Sequence, residues 1–348
     1  MKFVGLLLLM GMAAGFGRSY YLKHQPNRNH VRPIVPEITS TVTPTSTLVT
    51  PKPTAKATLG TPKPTAKAAA PTTAGKAVKW GAYTSWQVAD VKDFESKVGK
   101  QMNYVATFVH WGNENELPLD LGNLAKSRGQ TLVLYWEAMD YNVTTADDPR
   151  FSYDAILGGK WDSYITDFAS QVRHFGGQVI LIPFEEMNGD WYPWSINKNG
   201  NNALKHINAY RYLTKFFDGI PNVKFGWTVN NLSENGVSSH IADYYPGDAY
   251  VDIIGVNGFN FDDPWMNFNQ IFDSSLQQLE AINKPIMIFS MSCAQGSQKP
   301  DWIKDSLGVQ IQKHPKITGW IWFNENKEKD WRVWSDTNSL AAFKSILP

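Results

Sequence analysis

From Val78 onward, short apolar runs alternate with stretches in which apolar residues recur every three or four positions. The runs are "KWGAY" (79–83), "YVATFVH" (104–110), "TLVLYWE" (131–137), "VILIPFE" (179–185), "KFGWTVN" (224–230), "VDIIGVN" (251–257), "PIMIFS" (285–290) and "TGWIWFN" (318–324). Continuous apolar runs of this length fit strands buried on both faces. Helix-like segments lie between them, at 91–98, 120–128, 161–175, 203–217, 236–244, 268–282 and 301–313, and a last one closes the chain at 339–347. In 161–175 the residues Trp161, Tyr164, Ile165, Phe168 and Val172 keep the helical period. Eight strands alternating with eight helices over about 270 residues predict a (β/α)8 TIM barrel, an α/β fold. A doubly wound open sheet is the competitor, but no Gly-rich phosphate turn follows the first strand.

The N-terminal texture is different. Lys2 precedes an apolar run from Phe3 to Gly17, and Arg18 ends it. The run is shorter than the roughly 20 residues of a membrane span and fits the core of an export signal. Two readings stay open: a signal peptide cleaved after small residues such as Gly15 and Gly17, or a retained anchor with Tyr20 and Tyr21 at the membrane interface. Residues 23–77 are rich in Pro, Thr and Lys, and "TPKPTAKA" occurs twice, at 50–57 and 61–68. Such a tract buries too little apolar surface to offset its ordering entropy, and its prolines favour a stretched spacer. The expected organisation is an export or anchor segment (1–22) that touches the membrane, a linker (23–77) and a barrel (78–348), secreted or tethered on the extracellular side.

Composition narrows the function. The 348 residues carry a net charge of +1, which gives no basis for binding nucleic acid. Aromatic residues make up 13%, and there are 14 Trp. Flat rings with polar edges suit sugar faces, although about two-thirds of the Trp are expected in the core. Cys293 is the only cysteine, so an internal disulfide is ruled out; it is expected to be a small buried apolar residue. No metal or other cofactor is expected, and the chain is expected to be a monomer.

In a barrel of this kind the active site lies at the C-terminal ends of the strands. The predicted ends carry His110 and Trp111, Trp136 and Glu137, Glu185, Glu186 and Asn188, Asn230 and Asn231, Asn257, Phe259 and Asn260, Ser290 and Ser292, and Asn324, Glu325 and Asn326. Amides, acids and indoles on one rim make a surface for neutral hydroxyl groups. "IPFEEMNGDWYPW" (182–194) adds an acid followed by Trp191, Tyr192 and Trp194. Cleavage of a glycosidic bond needs a carboxyl whose affinity for its proton is raised by an apolar or acid-rich setting. Glu186, just before the Asn-Gly turn, is the candidate proton donor. Strand alternation would point Glu185 to the opposite side. The competing reading makes both acids solvated rim residues or ion-pair partners.

Residues 78–348 resemble glycoside hydrolase family 26, the clan-A barrels that include endo-β-mannanases and mixed-linkage β-glucanases. The resemblance rests on Glu186-Met187-Asn188-Gly189 followed by "WYPW", on "VDIIGVNGFN", on "KPIMI" and on "WFNENKEKDWRV", in that order. It implies an acid/base role for Glu186. It also exposes three departures. Glu185 stands where a His is usual. Ser290 occupies the place of the strand-seven nucleophile Glu, and no acid occurs between Glu280 and Asp301. Phe259 replaces a Tyr that holds that nucleophile. A lone Ser hydroxyl is a poor nucleophile for an anomeric carbon. The expected function is therefore binding of a β-linked polysaccharide of the mannan or β-glucan type, with weak or no hydrolysis. The expected contacts are Trp191, Trp194, Asn188, Phe259, Glu137 and His110, with Trp322 and Trp331 as helpers. The alternative is an active endo-glycosidase in which Glu137 or Glu325 supplies the second carboxylate. A structural or protein-interaction barrel is the third reading.

Overall fold

The computed structural model describes residues 78–348 except 114, 115 and 144. The expectations for residues 1–77 lie outside the described residues. Eight parallel strands close a barrel in sequence order: β1 (Lys79–Tyr83), β2 (Tyr104–His110), β3 (Thr131–Glu137), β4 (Val179–Pro183), β5 (Val223–Asn230), β6 (Ile253–Asn260), β7 (Ile286–Cys293) and β8 (Ile317–Phe323). β8 returns to β1, with Trp80 opposite Trp320 and Tyr83 opposite Phe323. The α-helices are α1 (Val88–Val98), α2 (Leu119–Ser127), α3 (Tyr153–Leu157), α4 (Asp162–Phe175), α5 (Ala203–Thr214), α6 (Phe268–Glu280), α7 (Lys299–Ile303) and α8 (Thr337–Ile346).

Two apolar layers hold this wheel together. Inside the barrel, Tyr104, Ala106, Val133, Tyr135, Ile180, Ile182, Met287, Phe289 and Ile321 fill the axis. Outside, the strands' other faces pack on the helices, with Trp136 stacked on Phe168 of α4 at 4.8 Å. Nine of the 14 Trp are buried, close to the expected share. Cys293 is buried as well, as a lone apolar thiol should be.

The helices depart from the periodicity in three places. The segment 236–244 forms only a short 3₁₀ turn, Ile241–Tyr244. The segment 301–313 is broken: α7 passes into a π-helical stretch, Lys304–Gln310, and a final 3₁₀ turn. α3 lies in the β3–α4 connection, where no helix is expected, capped by Ser152. Strand ends shift too, with consequences for the site. β4 stops at Pro183, two residues earlier than predicted, while β6 and β7 run three residues further. On β7 the register against β6 slips: Val256 faces Ile288, but Asn257 faces Ser290. Phe289 is the extra residue of this bulge. Gly255 makes room for it, since a Cβ there would come within 2.4 Å of the Phe289 ring. A bulge breaks alternation and re-aims side chains, often next to an active site.

Candidate active site

The polar residues of the barrel mouth collect where β3 and β4 end. After Pro183 the backbone leaves the strand, and Phe184 and Glu186 adopt left-handed conformations with φ of 57° and 51°. Non-glycine residues held there store strain, which clusters at functional sites. The turn overrides strand alternation, so the expectation that Glu185 points away from Glu186 is wrong. Asn257 Nδ2 on β6 donates to Glu186 Oε1 at 2.9 Å and approaches Glu185 Oε2 at 3.4 Å. Those two oxygens are thus no farther apart than the sum of the two distances, roughly 6 Å. Thr228 fixes the Asn257 amide by donating to its Oδ1 at 3.1 Å.

Glu186 is partly exposed to the cleft, whereas Glu185 and Glu137 are buried. Trp191 Nε1 donates to Glu186 Oε2 at 3.0 Å. The indole lies on Gly189, where a Cβ would meet the ring at 2.5 Å; this close approach explains the glycine of the Asn-Gly turn. Burial pushes the Glu186 carboxyl up to about 7, the Asn257 and Trp191 hydrogen bonds pull it back, and the Glu137 charge raises it. Glu185 is raised well above the carboxylate range, first by burial and then by the charges of Glu137 and Glu186. Its side chain is hydrogen-bonded to Glu137, whose Oε2 lies 2.8 Å from His110 Nε2. Tyr192 OH donates to Glu185 Oε1 at 3.4 Å. Glu185 and Glu186 are both held above the ordinary carboxylate range, a setting suited to general acid chemistry.

The opposite wall is neutral or aromatic. Ser290 is buried and hydrogen-bonded to Tyr135, whose hydroxyl also donates to the Phe289 carbonyl. Phe259, partly exposed, packs against Phe261, Phe323 and Trp331. Phe323 stacks on Tyr83 at 5.2 Å, and Tyr83 meets Phe108 edge-on at 4.8 Å. The result is an aromatic belt along the β8, β1 and β2 side. The loop after β8 is pinned from below. Lys299, wholly buried, donates to the carbonyls of Asp330 and Arg332 at 3.1 and 2.9 Å, and Ser292 Oγ and Trp322 Nε1 donate to the Trp331 carbonyl. That loop carries Glu325, which is hydrogen-bonded to Tyr83 and raised by burial, and Lys327, which faces Glu328, Glu325 and Glu137.

Several expected contacts are corrected. Trp194 and Trp322 are fully buried and Trp331 is 1% exposed, so none presents a ring face to a ligand. Trp194 instead stacks on Tyr192 at 4.1 Å and donates to the Glu185 carbonyl, supporting the acid turn from beneath. Asn188 is also buried. Its Nδ2 donates to the carbonyls of Asn230 and Leu232 and its Oδ1 accepts from Asn230 N, so it staples the β4 and β5 loops rather than meeting a sugar. Of the four expected indoles, Trp191 alone reaches the cleft. Sequence reasoning placed Glu185 and Asn257 on the rim and Tyr192 beside the acid turn without giving them a role, and passed over Tyr83. The first three sit in motifs that drew notice, and their roles emerge only because the turn after Pro183 leaves the strand path.

Comparison with known proteins gives a consistent result. The sequence profile of glycosyl hydrolase family 26 matches residues 86–342. Endoglucanase H of Acetivibrio thermocellus is 32% identical over 283 residues, covering 78% of this chain but 30% of that protein. A mannan endo-1,4-beta-mannosidase of Bacillus subtilis is 25% identical over 171 residues, covering 47% of this chain and 44% of its own length. The chain thus spans less than half the length of each of these relatives. Among solved structures, a Bacillus subtilis mannanase superposes with a TM-score of 0.59 at 17% identity, covering 78% of this chain and 86% of that one. A family 26 β-mannanase from Bacteroides ovatus gives 0.59 at 16%, covering 77% and 88%. At these identities the structural likeness speaks for the fold.

Proposed function

The chain belongs to glycosyl hydrolase family 26, and from that premise we propose that it is an exported or surface-tethered glycan-binding member, with little or no hydrolysis of its ligand. The ligand is a β-linked polysaccharide of the mannan or β-glucan type. The observation that carries this reading is the contrast across the barrel mouth. Glu186 keeps its proton up to about pH 7 beside a partly exposed Trp191, while Ser290 offers only a hydroxyl committed to Tyr135. A retaining glycosidase needs two carboxyls about 5–5.5 Å apart on the two sides of the scissile bond. The apolar run at 3–17 and the Pro/Thr tract after it support export and tethering.

Glu137 and Glu325 are less suited to replace the missing carboxylate. Glu137 is 2% exposed and paired with His110, and Glu325 is tied to Tyr83. The decisive experiment measures reducing-sugar release from soluble mannan and mixed-linkage glucan. The natural protein should stay near background while being retarded in gels containing the polysaccharide. Ser290→Glu should raise hydrolysis, more so with Phe259→Tyr added, and Glu186→Gln should cancel the gain, because no proton then reaches the leaving oxygen. Robust cleavage by the natural protein, lost in Glu137→Gln or Glu325→Gln, would establish the active-enzyme alternative instead.

A further inference from the structure

Polar groups without partners gather in one sector of the mouth, away from the acid turn. The chain after β8 doubles back as a short hairpin. Asn326 pairs antiparallel with Asp330, Lys327 N donates to the Lys329 carbonyl at 3.0 Å, and Trp331 N donates to the Glu325 carbonyl at 2.8 Å. Lys329 ties the hairpin to Asp262 of the post-β6 loop at 2.7 Å, and Lys299 holds it from below. Lys327 and Glu328 stand at its tip. The Lys327 ammonium faces Glu325, Glu328 and Glu137 at the end of β3, so it points over the mouth. Among the described residues it makes no hydrogen bond and no close ion pair. Glu328 acts on both Lys327 and Glu325, which puts its carboxylate on the same side, yet its Oε2 is buried with no hydrogen-bond partner. A buried acceptor left unpaired is costly. A hydroxyl both donates and accepts, so a single one set between Lys327 and Glu328 satisfies the two together.

The neighbouring β1–α1 loop adds a ring. Trp86 is 38% exposed, the only exposed one of the 14 Trp, and it stacks on no other aromatic ring among the described residues. Ser85 before it, at φ 150°, holds a backbone conformation rare for an L residue. The Ser85 hydroxyl donates to Asp90 Oδ2 and accepts from Gln87 N at 3.0 Å, which locks the loop. Asp90 in turn acts on Glu325, and Tyr83 at the end of β1 is hydrogen-bonded to Glu325, so the indole and the hairpin share one sector. It continues outward from the belt of Phe323, Tyr83 and Phe108. β1 and β4 are three strands apart, roughly 14 Å around the rim at about 4.8 Å per strand. A single sugar held at Trp191 does not reach Trp86, whereas a longer chain does. We propose that Trp86, Lys327 and Glu328 form a distal subsite for a neutral glycan chain, with Trp86 stacking on one sugar ring and a sugar hydroxyl bridging the Lys327 ammonium and the Glu328 carboxylate. The hydroxyl proton is directed at Glu328 Oε2, and the hydroxyl oxygen accepts from Lys327. Neutral sugars are selected, because the carboxyls already around the ammonium would repel a uronate. The inference rests on the glycan-binding reading and gives that cleft its far end.

The test measures binding of β-linked manno- and gluco-oligosaccharides, from disaccharide to hexasaccharide, to the full chain by titration calorimetry. Affinity should rise with chain length in at least one series. Trp86→Ala should remove the gain of the longer oligomers, weakening the hexasaccharide about tenfold, within the range that removing one aromatic platform costs, while the disaccharide is bound as before. Lys327→Met and Glu328→Gln should each weaken the hexasaccharide. The double variant should lose no more than the larger single loss, because one hydroxyl joins both side chains. Folding of each variant is checked by its thermal transition. Unchanged hexasaccharide affinity in folded Trp86→Ala and Lys327→Met overturns the proposal, as do additive losses in the double variant. Tighter, Lys327-dependent binding of a uronate oligomer overturns the selection of neutral sugars. The two claims fail differently: length-independent binding by the natural protein removes the distal subsite alone, whereas no binding of any oligomer or polysaccharide removes the glycan-binding reading beneath it.

Discussion

The carboxyl of Glu186 should cost the barrel stability as pH rises, and the amount follows from its surroundings. It moves from an ordinary 4.5 to about 7 in the folded chain. Between those values the native state holds a proton that the unfolded chain has released. The favourable contribution is therefore complete below pH 4.5 and is lost as pH climbs through 7. The full swing is about 3 kcal/mol, of which about 2 kcal/mol falls between pH 5 and 8. Natural protein alone would not reveal it. Burial lowers His206 to about 3, where it is held between Tyr153 and the Trp227 indole, so its contribution grows with pH over much of the same window and offsets the slope. Asp140, Asp148, Asp330 and Asp336 are shifted down and act at lower pH. Comparison with Glu186→Gln removes these common terms. Both Glu186 oxygens accept from N–H groups, so the Gln amide must set its NH₂ against either Asn257 or Trp191. That penalty is independent of pH and cancels in the difference between the two pH values. Denaturant unfolding of natural protein and variant at pH 5 and pH 8 should show the variant gaining about 2 kcal/mol relative to the natural protein at the higher pH. Release of Glu185 from a neighbouring charge acts in the same direction. Parallel stability curves across the window would mean that Glu186 titrates as an ordinary surface acid, and the proton-donor assignment would fall.

Two further outcomes are expected. Trp191→Ala should weaken polysaccharide retardation by about 1–3 kcal/mol, by analogy with stacking on aromatic platforms, with the thermal midpoint little changed; Trp194→Ala should instead lower stability by about 3–5 kcal/mol because it empties a packed site, and the opposite pattern would put the cleft elsewhere. Limited proteolysis of the full chain should trim it to about Val78 and stop, leaving a fragment with the ellipticity of the intact barrel; cutting throughout 78–348 under native conditions would contradict an independently folded barrel.

The eight strands were legible because each is an apolar run bounded by turn residues, and β1, β2 and β3 match their runs residue for residue. Legibility failed where backbone geometry departs from simple periods. "VILIPFE" reads as one strand to Glu185, yet Pro183 ends it, and the two left-handed residues after it decide where both acids point. Indole exposure was equally opaque. "WYPW" gives no sign that its first Trp is partly exposed while its last is buried beneath Tyr192, because that distinction depends on how the chain folds back onto the acid turn, with Trp194 on the Glu185 carbonyl and Trp191 on the Glu186 carboxyl. The Ser290 substitution was legible, but the bulge at Phe289 that sets its position was not, since it arises from the packing of β7 against Gly255 of β6.

The buried ammonium of Lys299 has a consequence for how fast and with what heat a glycan would be captured. By holding two carbonyls of the post-β8 loop, it fixes the segment bearing Glu325, Lys327 and Trp331 before any ligand arrives. Each rotamer-rich side chain that does not have to be immobilised on association spares about 0.5–1.5 kcal/mol of entropic penalty. A wall already frozen in place should give association close to simple encounter, with little temperature dependence in the on-rate. Discrimination among glycans then falls to how long each one stays.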